Sequence, residues 1–222
     1  GYIKPILDIL TDSLIQILNL DDVVIVLGSV LPEYFTDTFK KNLFEYIDNN
    51  SSLITFNSNS GELKAYKKDS IIYLDFPKDN FKQVDEIESV FKATNIRPVE
   101  TYLGDINLFA VFSSENQISS IRPNFNLLEK LPGQGLIISS SGDKYDFVSR
   151  YFCPKFGINE DPVTGSAHTT LIPYWSYKLK KNSLHAKQIS NRGGELFCSN
   201  EENRVLIGGN AVLYMKGEIK MN

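Results

Sequence analysis

The 222 residues carry a net charge of −4, with 42% apolar and 23% charged side chains. That apolar share is enough for a buried core, and the mild acidity gives no reason to expect a nucleic-acid or anionic-membrane partner. The length allows one large domain or two small ones.

Lys4 is followed by Pro5 and Asp8 rather than by a long apolar region, so no secretory signal is expected. Residues 5–20 read as an amphipathic helix, because Ile6, Leu7, Leu10, Leu14, Ile17 and Leu18 recur at three- and four-residue steps. Asp21 and Asp22 break that pattern. Residues 23–27 are a β-branched run and read as a buried strand ending at Gly28. The longest apolar run, residues 23–31, contains Gly28 and Ser29 and is far too short to span a bilayer. The expectation is a soluble cytoplasmic protein. Pro32 opens a second expected helix, to about residue 47, with Phe35, Phe39, Leu43, Phe44 and Ile47 on one side.

From Leu53 the reading turns to β. Residues 53–56, 61–66 and 71–76 are expected strands, the last stopped by Pro77. A domain boundary is placed near residues 77–80, giving units 1–79 and 80–222. A short helix over 85–93 follows, then strands over 101–103 and 108–112 around a Gly104 and Asp105 turn. Residues 126–130 read as a helical turn. Strands over 135–140 and 145–152 form a hairpin-like unit around Ser141, Gly142 and Asp143. A longer helix over 165–180 has the apolar stripe His168, Leu171, Ile172, Trp175 and Leu179, with Pro173 expected to kink it. Strands over 186–190, 195–199, 204–207 and 211–215 complete the chain, with a turn over 200–203. Strands, one long apolar helix and more strands suggest a mixed β layer wrapped round that helix, an α+β architecture.

Chemistry concentrates in residues 157–168. Glu160 and Asp161, the rigid Pro162, then Thr164, Gly165, Ser166 and His168 lie immediately ahead of an apolar helical pattern. A helix N-terminus has unpaired backbone N–H groups and the positive end of the helix dipole, which together hold an anion. Asp161 suits an active-site carboxylate, and equally a turn or helix-capping position before Pro162. The amides of Gly165 and Ser166 suit a substrate carboxylate, or an ordinary helix start. His168 lies on the apolar stripe, where an interior, hydrogen-bonded histidine is the usual outcome. Glu160 reads as a solvated or structural neighbour and Trp175 as core. Arg192, before Gly193 and Gly194, could bind a carboxylate or form a structural ion pair. Lys178, Lys180 and Lys181 read as a solvated helix end. The Gly133-Gln134-Gly135 run precedes a strand and is no dinucleotide fingerprint. Two cysteines, Cys153 and Cys198, and two histidines, His168 and His185, do not build a zinc site at these spacings. Free buried thiols are favoured over a disulfide.

Three stretches together resemble the PhzF-like family, the phenazine-biosynthesis-type isomerases of the diaminopimelate-epimerase-like fold. The first is Ser60, Gly61, Glu62 and Leu63 with Leu74, Asp75, Phe76 and Pro77. The second is Phe152, Cys153 and Pro154 with residues 160–168, then Pro173 and Trp175. The third is residues 188–194, reading Gln-Ile-Ser-Asn-Arg-Gly-Gly, with Gly209, Asn210, Ala211 and Val212. The resemblance runs from about residue 53 to 219. It implies two lobes, each a β layer round a central helix, with the active site between them. It implies that Asp161, Gly165, Ser166 and His168 face that cleft. Asp161, Ser166 and His168 are then the expected catalytic residues, and Thr164, Gly165, Ser166 and Arg192 the expected substrate-binding ones.

Two motifs of the family's first lobe are absent from this sequence. One is an Asn-x-Ser-Glu-Thr segment, whose glutamate moves the proton. The other is a Cys-Gly-His-Ala-Thr segment that opens the first central helix. Residues 1–50 therefore read as a shortened or divergent part of that lobe. Glu33 and Glu45 are the only glutamates before Leu53, and neither sits in a matching motif. The resemblance implies a cofactor-free isomerase or epimerase acting by proton transfer on a small carboxylate-bearing metabolite. The alternative is a family member that binds a ligand or partner without the acid/base machinery. A short first lobe would leave strand edges that a homodimer would cover.

Overall fold

The computed structural model describes residues 16–20, 23–27, 53–58 and 61–210. Two strands come first. Strand β1, Gln16–Leu20, and β2, Val23–Leu27, pair antiparallel from Gln16↔Leu27 to Leu20↔Val23. The helix expected over residues 5–20 is therefore corrected at its end, where residues 16–20 are strand. The β-branched run beyond Asp21 and Asp22 offers a ladder partner, and that pairing outweighs the helical spacing of Ile17 and Leu18. The rest of that helix, the helix expected over 32–47 and the strand expected over 211–215 lie outside the described residues.

The remaining strands form one sheet of twelve. In chain order they are β3 Leu53–Ser58, β4 Gly61–Lys68, β5 Ile71–Pro77, β6 Lys82–Gln83, β7 Glu100–Leu103 and β8 Leu108–Val111. There follow β9 Leu136–Ser141, β10 Phe147–Cys153, β11 Ile158–Asp161, β12 Ser183–Gln188, β13 Gly194–Asn200 and β14 Arg204–Gly209. Their spatial order is β3-β4-β5-β14-β13-β12-β10-β9-β8-β7-β6, with β11 also on β10. The β8–β9 and β10–β12 pairs are parallel and the others antiparallel, which makes the sheet mixed.

Strands β8 to β10 are buried on both faces, apart from Ser141. Because side chains alternate across a strand, successive residues serve two cores. Phe109, Ile137, Phe147 and Tyr151 join the core around the long helix α4, His168–Leu179. Leu108, Ala110, Leu136, Ile138, Val148 and Phe152 join a second core. That second core is closed by the short helices α1, Ile87–Thr94, α2, Glu115–Ser120, and α3, Phe125–Leu128. Strands β12 to β14 bury one side chain in two, and Leu184, Ala186, Leu196, Cys198, Val205 and Ile207 face α4. The α4 core thus draws residues from β4 and β5 as well as from β8 to β14, and the sheet curls round the helix. Cys153 and Cys198 are free and buried in it.

Helix α4 inserts Trp175 flat against Phe147, with ring centroids 5.8 Å apart, and its Nε1–H donates to Ser139 Oγ at 2.9 Å. Pro173 does not end the helix. It has no N–H for the carbonyl of Thr169 one turn back, and Asp79 N–H donates to that carbonyl instead, at 3.3 Å. The Asp79 carboxylate also accepts from Thr170 Oγ1 at 2.6 Å and from Asp105 N–H at 3.0 Å. A side chain at Gly104 would overlap that carboxylate, which is why glycine stands in the turn. The stripe expected along α4 is buried as far as Trp175, but Leu179, in the last turn, is 38% exposed. Lys178 and Lys181, expected as solvated, pair with Glu100 at 2.8 Å and Asp146 at 2.5 Å.

Candidate active site

The site is built where β11 gives way to α4. Gly157, at φ 78°, ends a 3-10 turn over Pro154–Phe156 and sends the chain back along β10 as β11. Only a residue tolerant of the left-handed region serves there. Strand β10 gives Phe147, Val148 and Ser149 to β12 and Tyr151 and Cys153 to β11. Tyr151↔Asp161 is the last pair, so Asp161 stands at the end of a strand with its side chain turned inward, 1% exposed. Glu160, one residue earlier, points the other way to a two-pronged ion pair with Arg150 at 2.7 and 2.8 Å. Of the two readings left open for Glu160, solvated or structural, the geometry gives the structural one.

A buried carboxylate needs hydrogen bonds. Asp161 Oδ2 accepts from Thr164 Oγ1 at 2.5 Å. Its backbone carbonyl accepts from Gln188 Nε2 at 2.6 Å and from Ser190 Oγ at 3.2 Å. Gln188 Oε1 accepts from Thr164 N–H at 2.8 Å. The loop over residues 161–164 is thereby fixed to the end of β12. The start of β13 presses on the same loop, because a side chain at Gly194 would overlap Val163.

Residues 165–167 form a turn, and regular helix begins at His168, three residues later than expected. His168 N–H donates to Gly165 carbonyl at 2.9 Å and Thr169 N–H to Ser166 carbonyl at 3.2 Å. The amides of Gly165, Ser166 and Ala167 have no hydrogen-bond partner among the described residues. They are the orphan donors of a helix start, where the dipole also favours an anion. Gly165 is buried and Ser166 half-buried.

His168 is wholly buried, and its Nδ1 lies 2.7 Å from Thr164 carbonyl. A carbonyl only accepts, so Nδ1 carries the proton. Burial pushes the imidazole down to about 4, against a smaller opposing effect of that hydrogen bond. His168 is therefore an interior, neutral residue that holds the site loop from the helix side, and does not stand open in a cleft. Arg192 is exposed. Partial burial lowers its guanidinium below the usual range, and the nearby Asp161 charge opposes that. Cys153, on the neighbouring strand, is pushed up to about 12 by burial and then by the Asp161 charge. It is a packed thiol with no nucleophilic character at neutral pH.

Asp161, Thr164, Gly165, Ser166 and His168 thus come together in one loop and helix start, with Arg192 close enough to feel the Asp161 charge. Gln188 and Ser190 are the site residues that sequence reasoning missed. The signal was present in β12, where the inward positions Leu184, Ala186 and Gln188 end on a polar side chain. Glutamine in an inward row must find partners in the interior.

Residues 39–217 match the family model for phenazine biosynthesis-like proteins, PhzC-PhzF. The chain belongs to this family. An uncharacterized isomerase of Pseudomonas aeruginosa is 42% identical over 180 residues, which cover 81% of this chain and 69% of that protein. The phenazine biosynthesis-like domain-containing protein 1 of Mus musculus is 40% identical, over 80% of this chain and 68% of its own. The crystal structure of a PhzF-family protein from Enterococcus faecalis superposes with a TM-score of 0.73 at 41% identity, over 89% of this chain and 75% of that one. A PhzC/PhzF protein from Clostridium difficile gives a TM-score of 0.68 at 36% identity, over 85% and 74%. The fold is the α+β, diaminopimelate-epimerase-like fold of PhzF proteins, and the family is isomerase- or epimerase-like.

Proposed function

We propose that this PhzF-family chain is a cofactor-independent isomerase or epimerase that moves a proton on a small carboxylate-bearing metabolite. The observation that carries the reading is the placement of a buried carboxylate, Asp161, one loop away from the unpartnered amides of residues 165–167 at the start of α4. Proton transfer at carbon needs a group to take and return the proton and a fixed positive potential for the charge that develops. Helix-terminal amides supply such a potential without reorganising. In this reading the amides of Gly165 and Ser166 and the Ser166 hydroxyl receive the substrate carboxylate. Arg192 adds charge at the exposed side, and Asp161 serves the proton. Thr164 and His168 keep that constellation in place. The isomerase relative from Pseudomonas supports the reaction class.

The test is hydrogen–deuterium exchange at carbon. Chiral small amino and hydroxy carboxylic acids are incubated with the protein in deuterium oxide and followed by proton NMR. Wild type should exchange the proton beside the carboxylate of at least one of them, and Asp161→Asn should abolish that exchange while the far-ultraviolet circular dichroism stays native. Exchange undiminished in Asp161→Asn would remove Asp161 from the chemistry. Saturable binding without exchange in the wild type would favour the ligand-binding alternative. Ser166→Leu should weaken binding of the same acids at least tenfold, because a bulky side chain then covers the helix start. Unaltered affinity would sink the anion site.

A further inference from the structure

Gln188 has the environment of a part that has been fixed on every side. It is 0% exposed, and each atom of its amide that can bond does so within one loop. Oε1 accepts from Thr164 N–H at 2.8 Å, while Nε2 donates to Asp161 carbonyl at 2.6 Å and to Thr164 Oγ1 at 3.2 Å. The amide cannot be turned over, because the carbonyl of Asp161 demands a donor and the amide of Thr164 an acceptor. This fixes the next link. Thr164 Oγ1 already receives a proton from Gln188, so its own proton goes to Asp161 Oδ2, 2.5 Å away. The hydroxyl is thereby held as a donor to the carboxylate and cannot rotate toward a neighbouring carbonyl.

We propose that Gln188 is the positioning residue of this site, and that it aims the Thr164 hydroxyl at the Asp161 carboxylate and so holds that carboxylate ready for proton transfer. The proposal rests on the reading of Asp161 as the working carboxylate. Gln188 touches no substrate and acts through Thr164. It also joins two segments far apart in sequence, the end of β12 and the loop before α4. A movement of the β12–β13 turn, which carries Arg192, would therefore reach Asp161 through one amide.

Charged and titratable groups face Asp161 from two elements. Tyr151 and Cys153 approach from β10 and Arg192 from the β12–β13 turn. The neighbouring Glu160 is committed to Arg150, and His168 on α4 faces Thr164. Substitutions at Gln188 or Thr164 leave all of these charges unchanged, so a shift in the titration of Asp161 reports the hydrogen-bond chain.

The experiment is a carbon-13 NMR titration of the full chain labelled at aspartate carboxyls, with the Asp161 resonance assigned by its loss in Asp161→Asn. Thr164→Val removes the hydroxyl at equal volume, Thr164→Ser keeps it, and Gln188→Met removes the amide at nearly equal volume. Loss of a donor to a carboxylate favours its neutral form. Gln188→Met and Thr164→Val should each raise the pH at which Asp161 titrates by about one unit. The double variant should rise no further than the larger single change, and Thr164→Ser should stay with the wild type. A role in packing alone would lower the melting temperature and leave the titration where it was, and that result overturns the proposal. Additive shifts in the double variant overturn it as well. If Gln188→Met does not fold, the Thr164 pair decides, since identical titration in Thr164→Val and Thr164→Ser breaks the chain at its second link. Loss of exchange in Asp161→Asn tests the function separately. Exchange that survives it, beside a titration that Gln188→Met still moves, would sink the function and keep the positioning.

Discussion

Replacing Arg150 by methionine should destabilise the protein by about 3–5 kcal/mol at neutral pH, read as a lowered urea midpoint with an unchanged slope. Arg150 is 8% exposed and makes four hydrogen bonds. Two go to Glu160. The other two, from Nη1, go to the carbonyls of Ile118 at 3.0 Å and Ile121 at 2.9 Å. These carbonyls lie at the end of helix α2, where they have no partner within the helix. The guanidinium also lies over the Phe152 ring, 4.8 Å from its centroid. Methionine would refill the volume but leave the Ile118 carbonyl without a donor, the Ile121 carbonyl with only Arg122 Nη1 at 3.0 Å, and a largely buried Glu160 carboxylate without its cation. Lysine would restore the charge but not the fork, and should recover only part of the loss. The exposed Arg97–Glu88 pair, at 2.6 Å, makes a good control, since Arg97→Gln should move the midpoint far less. Equal effects from the two substitutions would show that Arg150 is not an anchor. The site depends on this anchor because Glu160 and Asp161 are neighbours on β11. The ion pair holds the strand whose last residue is the buried carboxylate.

The residues that place this site were partly legible in the sequence. Strands β8, β9 and β10 were readable because continuous apolar runs between turn residues have few alternatives. Helix α4 was readable from its stripe, and the loop before it from a dense set of turn-forming and polar residues. The misreading at residues 16–20 has a clear cause. Ile17 and Leu18 satisfy a helical spacing, and only the presence of a strand partner just beyond Asp21 and Asp22 decides otherwise. Helix α2 was missed because six residues are too few to show a period. Its one local signal was Ser114, whose hydroxyl accepts from Gln117 N–H at 3.4 Å as an N-cap. Within the site, the membership of Asp161, Thr164, Gly165 and Ser166 could be read from one contiguous segment. Gln188 and Ser190 could not. They reach Asp161 from 27 and 29 residues further along the chain, and only the parallel pairing of β10 with β12 brings them there. The burial of His168 was legible from its stripe, but its partner was not.

Lowering the pH from 7 to 4 should cost the protein about 3 kcal/mol of stability through His168 alone. The imidazole is depressed to about 4 in the folded chain, against 6.5 as its ordinary value. Between those two values the unfolded chain binds a proton at this residue and the folded chain does not. Stability therefore falls as the pH drops through that window, by about 1.4 kcal/mol per unit. The contribution is fully present above pH 6.5 and gone below about 4. The cause is visible in the geometry. Nδ1–H is committed to Thr164 carbonyl, so an incoming proton must go to Nε2, which is buried and has no hydrogen-bond partner among the described residues. A cation there would be neither solvated nor paired. Other groups also titrate on the way to pH 4, so the measurement is a difference. Urea unfolding of the wild type and of His168→Gln is compared at pH 7 and pH 4, glutamine keeping a donor for Thr164 and having no charge to gain. The wild type should lose about 3 kcal/mol more than the variant. Equal losses, or an imidazole that titrates near its ordinary value by NMR, would refute the buried neutral assignment. The neutral assignment also fixes what His168 does at neutral pH. It donates to the backbone of Thr164 while the hydroxyl of Thr164 donates to Asp161, and so it steadies the carboxylate from the helix side without exchanging a proton itself.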